Sequence, residues 1–170
     1  TDEWLEFDDS GQAAAIAPLV ALVDGWLADQ VTGGHAFLPG CELEPAQALL
    51  HGHCHQRAAG QLAGTTQALV ELAGLDVQVV DSGCCGMAGA FGYEVDHYET
   101  SVAIAEQRLL PAVREAPKAM IVAPGFSCRT QIRELSGRIA QHPIEVIRRR
   151  LGATPPKRLS PRSASKDSKK

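Results

Sequence analysis

Apolar and polar positions repeat along this chain with two periods, and the periods predict its elements. Over residues 13–29, Ile16, Leu19, Val20, Val23, Trp26 and Leu27 recur at i, i+3, i+4, i+7 spacing, which predicts one helix. Gly33, Gly34 and Pro39 mark a turn, with a short strand at His35-Ala36-Phe37-Leu38. The run around Ala48-Leu49-Leu50 predicts a strand over 46–52. Residues 60–73 predict a helix with Leu62, Leu69, Val70 and Leu72 inward, stopped by Gly74. Residues 77–81 predict a second strand, and 96–116 a long helix carrying Val102, Ile104, Ala105, Leu109, Leu110 and Val113. Pro111 lacks an N–H to donate, so that helix is expected to kink or break there. A third strand over 119–123 leads to a helix over 129–135, with Ser127 placed to cap it. His142-Pro143 opens a last helix to about Leu151, with the proline in its first turn.

Strands that alternate with helices imply parallel pairing through right-handed crossovers. The predicted class is α/β: a small Rossmann-like sheet of mainly parallel strands with flanking helices. Three parts follow along the chain. Residues 1–45 form an N-terminal helix and linker, 46–151 the cysteine-rich α/β domain, and 152–170 a basic tail rich in Pro, Ser and Lys that is expected to be disordered.

At 170 residues the chain can bury a real core. No run of about 18 apolar residues predicts a membrane span. No signal peptide is read either, and the start at Thr1 rather than Met suggests part of a longer protein. Net charge is −4, unevenly spread. From Gly152 onward Lys157, Arg158, Arg162, Lys166, Lys169 and Lys170 face Asp167, a net +5, which leaves −9 on the rest. An acidic body argues against nucleic acid as the partner.

The chemistry lies in the cysteines. There are five, an odd number without a secretory signal, so a metal or redox role is favoured over a disulfide frame and a cytoplasmic location is expected. Cys54 follows the first predicted strand in His51-Gly52-His53-Cys54-His55-Gln56. Cys84 and Cys85 follow the second, in the turn that begins Asp81-Ser82-Gly83 and continues through Gly86, Gly89 and Gly92. Cys128 follows the third, after Pro124-Gly125-Phe126-Ser127. In a parallel sheet these exits lie together, at the edge where α/β ligands bind. Helix starts there favour thiolate.

Four thiolates suit zinc or an iron–sulfur cluster. No C-x₂₋₄-C knuckle is present, and Cα atoms of adjacent cysteines lie about 3.8 Å apart. Both sulfurs on one small ion would strain the turn, so iron–sulfur is favoured. Zinc would set sulfurs about 3.8 Å apart, and a multi-iron cluster would hold them farther apart. A metal-free dithiol at Cys84 and Cys85 is a third reading. Cys41 reads as a small core residue outside the group. His53 and His55 are candidates for ligands, proton carriers or outer donors, or are simply exposed on a polar turn. His51 points inward by alternation and reads as a satisfied core residue. The glycines do not match G-x-G-x-x-G and are expected to let the backbone pack closely. Arg129, Arg133 and Arg138 read as a solvated helix face.

His51-Gly52-His53-Cys54-His55-Gln56, Asp81-Ser82-Gly83-Cys84-Cys85-Gly86-Met87-Ala88-Gly89 and Gly125-Phe126-Ser127-Cys128-Arg129 resemble the cysteine-rich CCG domain, over about residues 49–151. That domain occurs in the B subunit of heterodisulfide reductase and in iron–sulfur subunits of glycolate, lactate and glycerol-3-phosphate oxidising systems. The wording is closest to the C-terminal end of fused FAD-linked oxidase/Fe–S proteins, some of which oxidise D-2-hydroxy acids. Two departures stand out. Gly125 occupies the place of the first cysteine in the family's closing C-x-x-C, leaving four thiols rather than five. One CCG segment is present where such proteins usually carry two.

The resemblance implies an electron-transfer module. Cys54, Cys84, Cys85 and Cys128 would hold an iron–sulfur cluster of the [4Fe–4S] kind. Electrons would come from reduced FAD on a partner domain or subunit, alongside further Fe–S clusters, and go to a downstream acceptor. Such a module is expected in the cytoplasm or at the inner membrane face, with no dehydrogenase activity alone. The rival from another class is a zinc-stabilised module that docks a dehydrogenase.

Overall fold

The computed structural model describes residues 6–35 and 45–152. Cys41, the 35–38 strand beyond His35, and the basic tail from residue 153 onward fall outside them.

Four parallel strands form the sheet, in the order β2-β1-β3-β4. They are β1 (Ala46–Leu50), β2 (Leu75–Val79), β3 (Met120–Val122) and β4 (Ala140–Gln141). β1 pairs with β2 from Ala46↔Leu75 to Leu50↔Val79, and with β3 from Ala48↔Met120 to Leu50↔Val122. The central strand β1 therefore exits between the other two cysteine-bearing loops. The fold is α/β with a parallel sheet and flanking helices, as the alternating pattern implied. β4 is two residues long, too short to give a period.

The helices are α1 (Gln12–Ile16), α2 (Val23–Thr32), α3 (Cys54–Ala58), α4 (Leu62–Ala73), α5 (Tyr98–Gln107), α6 (Leu109–Glu115), α7 (Phe126–Ser136) and α8 (Pro143–Arg150). One core layer gathers Leu49, Val80, Met87, Leu109, Val113, Ile121 and Ile132 around Cys85 and Cys128. The other gathers Leu50, Leu69, Leu72, Val122, Val146 and Ile147 under α2, α4 and α8. Leu49 and Leu50 point to opposite layers, as the period of two along a strand requires.

Several expectations are corrected. The single helix over 13–29 is two helices joined by a 3₁₀ turn, Ala17–Leu19, that holds Pro18. Its apolar stripe is not buried: Ile16, Leu19, Val20, Val23 and Trp26 are exposed, and α2 buries Asp24 and Ala28 instead. Val70 is likewise exposed on α4. The long helix breaks at Arg108 (φ −146°, ψ −42°) rather than at Pro111, because proline denies its hydrogen bond to the carbonyl four residues back, at Gln107. Ser127 lies inside α7, whose N-cap is Gly125. Arg129 donates to the carbonyls of Ala123 (3.0 Å) and Pro124 (2.6 Å), and Arg138 to those of Val113, Ala116 and Ala119. These two arginines tie loops to helices; only Arg133, paired with Glu134, fits a solvated face.

Among the described residues no single helix is long and apolar enough to cross a membrane; Gln12–Leu19 and Val23–Thr32, bent by 60°, reach that length and composition only as a pair.

Candidate metal centre at the strand exits

Three strand exits build the site. After β1, the His51 N–H donates to Val122 O (2.9 Å), which carries the ladder one residue past the strand. Gly52 then passes under Leu62, whose methyl carbons lie 2.7 and 2.8 Å from where a Cβ would stand, so a larger residue would have to push that side chain aside. His53 takes an extended conformation (φ −61°, ψ 140°) and caps α3, which puts Cys54 at its first position.

After β2, the turn carries Ser82, Cys84 and Cys85. Gly86 has φ +95°, and a Cβ there would stand 2.2 Å from Ser101 O on α5. Glycine is required for the backbone angle and for the close approach alike. The Gly86 N–H donates to Cys84 Sγ (3.3 Å). Gln131 on α7 donates to Ser101 Oγ (3.0 Å) and O (3.3 Å), clamping α5 to α7 behind the turn. After β3, Gly125 leads into α7, and Cys128 sits in its first turn.

His51, Cys85 and Cys128 meet here, all buried, with one donor atom each within 4.8 Å of the others. Cys54 and Cys84 are partly exposed and lie outside that tight group. Both still act on it: the charges of Cys54 and Cys84 help to raise Cys128, and those of Cys84 and Cys85 help to raise Cys54. All four thiols are free.

The electrostatics divide them. The Cys85 thiol is pulled down to about 4, first by its hydrogen bond with Cys128, against burial, and then by His51 and the Met87 N–H. Cys128 is pushed up by the same bond to Cys85 and by burial. In the metal-free pair one proton is shared between the two sulfurs, and His51 and the Met87 N–H favour charge on Cys85. Burial, then Cys84, raises Cys54. A helix start is therefore not enough to ionise a thiol that is partly buried beside other sulfurs.

His51 departs from the sequence expectation. It is buried, 1 % exposed, and its Nδ1 lies 2.8 Å from Ser82 Oγ. But Nε2 has no hydrogen-bond partner, so the ring is satisfied on one side only. It stands three positions before Cys54 on the chain, a spacing that could have marked it as a ligand candidate.

His53 is lowered by burial and by His55, whose ring meets it edge-on at 5.2 Å. These two rings line an open cleft of about 860 Å³ with Asp24, Gln56, Gly125 and His142. At Gly125 a Cβ would stand 2.5 Å from His53 Cδ2 and 2.7 Å from Cys128 Sγ.

The donors are four sulfurs and one unpartnered imidazole nitrogen, a soft set that fits an iron–sulfur cluster or zinc and does not fit hard cations. The family model of the CCG cysteine-rich domain matches residues 35–133. The chain belongs to this family. It is 32% identical over 138 residues to D-2-hydroxyglutarate dehydrogenase of Pantoea ananatis, a match over 75% of the chain and 12% of that protein. The Escherichia coli K12 enzyme of the same name is 30% identical over 131 residues, with the same coverage. One subunit of the anaerobic glycerol-3-phosphate dehydrogenase of Escherichia coli K12 is 31% identical over 103 residues, 61% of the chain and 26% of its own length. The CCG chain thus spans about an eighth of the D-2-hydroxyglutarate dehydrogenases it matches. No solved structure matches it.

Proposed function

We propose that this CCG domain is an iron–sulfur electron-transfer module of a flavin-linked oxidoreductase acting on 2-hydroxy acids. It would pass electrons from a reduced flavin on another domain or subunit to a downstream acceptor. The observation that supports the reading is that Cys54, Cys84, Cys85 and Cys128 all follow the carboxyl ends of three adjacent parallel strands, near enough for their charges to act on one another. The similarity to D-2-hydroxyglutarate dehydrogenases supports the substrate class, and that to a glycerol-3-phosphate dehydrogenase subunit supports only the wider one, oxidation of a secondary alcohol.

A bound cluster of the [4Fe–4S] type would supply one-electron chemistry at this edge. The residues do the rest. The Cys thiols supply the ligands. Gly86, Ser101 and Gln131 lock the Cys84–Cys85 turn, and Arg129 locks the loop that presents Cys128. Leu49, Val80 and Met87 wall the inner side with apolar surface and exclude water. His53 and His55, beside the cleft, are placed to exchange protons with solvent as charge changes.

A second reading is favoured by one observation. The tight grouping of His51, Cys85 and Cys128 within 4.8 Å suits a single ion, which makes zinc the alternative. Metal analysis of protein purified without oxygen separates the two. Iron and sulfide in comparable amounts support the electron-transfer module; zinc with neither defeats it.

A further inference from the structure

We propose that His51, through Nε2, is a metal ligand of this centre alongside the cysteines. The inference deepens the metal-centre reading and rests on it. Buried nitrogens almost always have partners, because one left unmet has lost its water and gained nothing in return. His51 is 1 % exposed, and its Nε2 has none.

The ring's other face explains why. Nδ1 lies 2.8 Å from the hydroxyl of Ser82, itself buried and three residues before Cys85. With the proton on Nδ1, donated to Ser82 Oγ, Nε2 keeps a lone pair. A ring nitrogen of His51 lies within 4.8 Å of the sulfurs of Cys85 and Cys128, and Nε2 is the one that Ser82 leaves open. Without metal, a proton between Cys85 and Cys128 holds the two sulfurs together; a cation would displace that proton and draw on the imidazole lone pair as well. The opposite tautomer would aim an N–H at Cys85, and His51 does lower the Cys85 thiol, but Nε2 falls short of full hydrogen-bond geometry with any group, so the thiolate does not fill its place. An imidazole ligand held by a hydrogen bond at its second nitrogen is the arrangement metals use to fix ring orientation. Here the hydrogen-bonding group sits on the same turn as two of the thiols, so ring and turn are positioned together.

The test uses the 170-residue chain, loaded anaerobically with iron and sulfide and, separately, with zinc. Histidines are labelled with nitrogen-15. Pulsed electron paramagnetic resonance of the iron-loaded protein should show one strongly coupled nitrogen that changes isotope with the label. That signal should vanish in His51→Cys and persist in His53→Gln. Ser82→Ala should weaken metal uptake about 10-fold to 100-fold, as loss of a supporting partner does. Iron uptake with no strongly coupled nitrogen overturns the inference and leaves the electron-transfer reading intact. Should the chain take zinc and no iron, the electron-transfer reading fails. Zinc-edge absorption then decides the inference: a Zn–N distance of about 2.0–2.1 Å supports it, and an all-sulfur shell overturns it. Uptake of neither metal overturns both. The labelling result needs no variant, so misfolding of His51→Cys does not remove the test.

Discussion

Gly125 leaves no room between itself and Cys128: a Cβ on the glycine would stand 2.7 Å from the Cys128 sulfur. The backbone there is ordinary (φ −68°, ψ 130°), so space and not conformation selects glycine. Gly125→Ala should therefore push Cys128 or His53 aside. Urea unfolding should show a loss of about 1–3 kcal/mol, typical of overpacking. Metal uptake, measured in parallel, should fall at least about tenfold, since a displaced ligand costs more than a displaced supporting group.

Gly86 and Gly89 both have positive φ, +95° and +68°, but only Gly86 is crowded, with Ser101 O 2.2 Å from its would-be Cβ. Gly89→Ala should cost about 1 kcal/mol, the backbone penalty alone. Gly86→Ala adds a clash with backbone and should cost about 3 kcal/mol or more. Thermal melts of the two variants, compared side by side, check the difference.

Thr65 donates to Asp24, and Gln56 donates to Thr65, a buried chain that joins α2, α4 and α3. Thr65→Val keeps the shape and removes the hydroxyl. It should cost about 2–3 kcal/mol, because two buried polar groups lose a partner at once, and Thr65→Ser should recover most of it. Denaturant midpoints read both effects.

His142 caps α8 by accepting the Ile144 N–H at Nδ1 (3.2 Å), which only a ring unprotonated at that nitrogen can do. Burial, then Arg129, holds its pKa below the ordinary histidine value, against the opposing pull of Asp24 and Glu145. The folded state therefore binds the proton less readily than the unfolded one. The stability this cap contributes is complete above pH about 6.5 and is lost as pH falls through the folded value. His142→Ala should cost about 1 kcal/mol near neutrality and flatten that part of the pH profile, as followed by melting between about pH 5 and pH 8.

Much of the frame was legible because parallel strands announce themselves. Leu49, Val79 and Ile121 sit in short apolar runs, each followed by small or polar residues and a cysteine. What escaped lay beyond the reach of local pattern. The stripe from Ile16 to Trp26 satisfied helical spacing, yet Pro18 divides it and Asp24 turns inward to meet Thr65. Arg138 reads as a surface cation until the fold brings three carbonyls to it. The inward direction of His51 followed from alternation, and burial agrees. Its unpartnered side depends on Ser82 and on sulfurs far away along the chain, which no window of sequence contains.

The sheet order has a bearing on how such a centre is assembled. Cys54, Cys85 and Cys128 lie on separate exits of β1, β2 and β3, and no two of those exits are neighbours along the chain without a helix between them. An unfolded chain offers short local chelates at His51–His55 and at Cys84–Cys85, but none that gathers ligands from all three exits. Where a zinc knuckle can gather its ligands from a few residues and fold around the ion, this domain must dock its strands first. Loading is then a late step on a finished scaffold, and a cell that runs short of metal would accumulate folded, empty protein rather than unfolded chain.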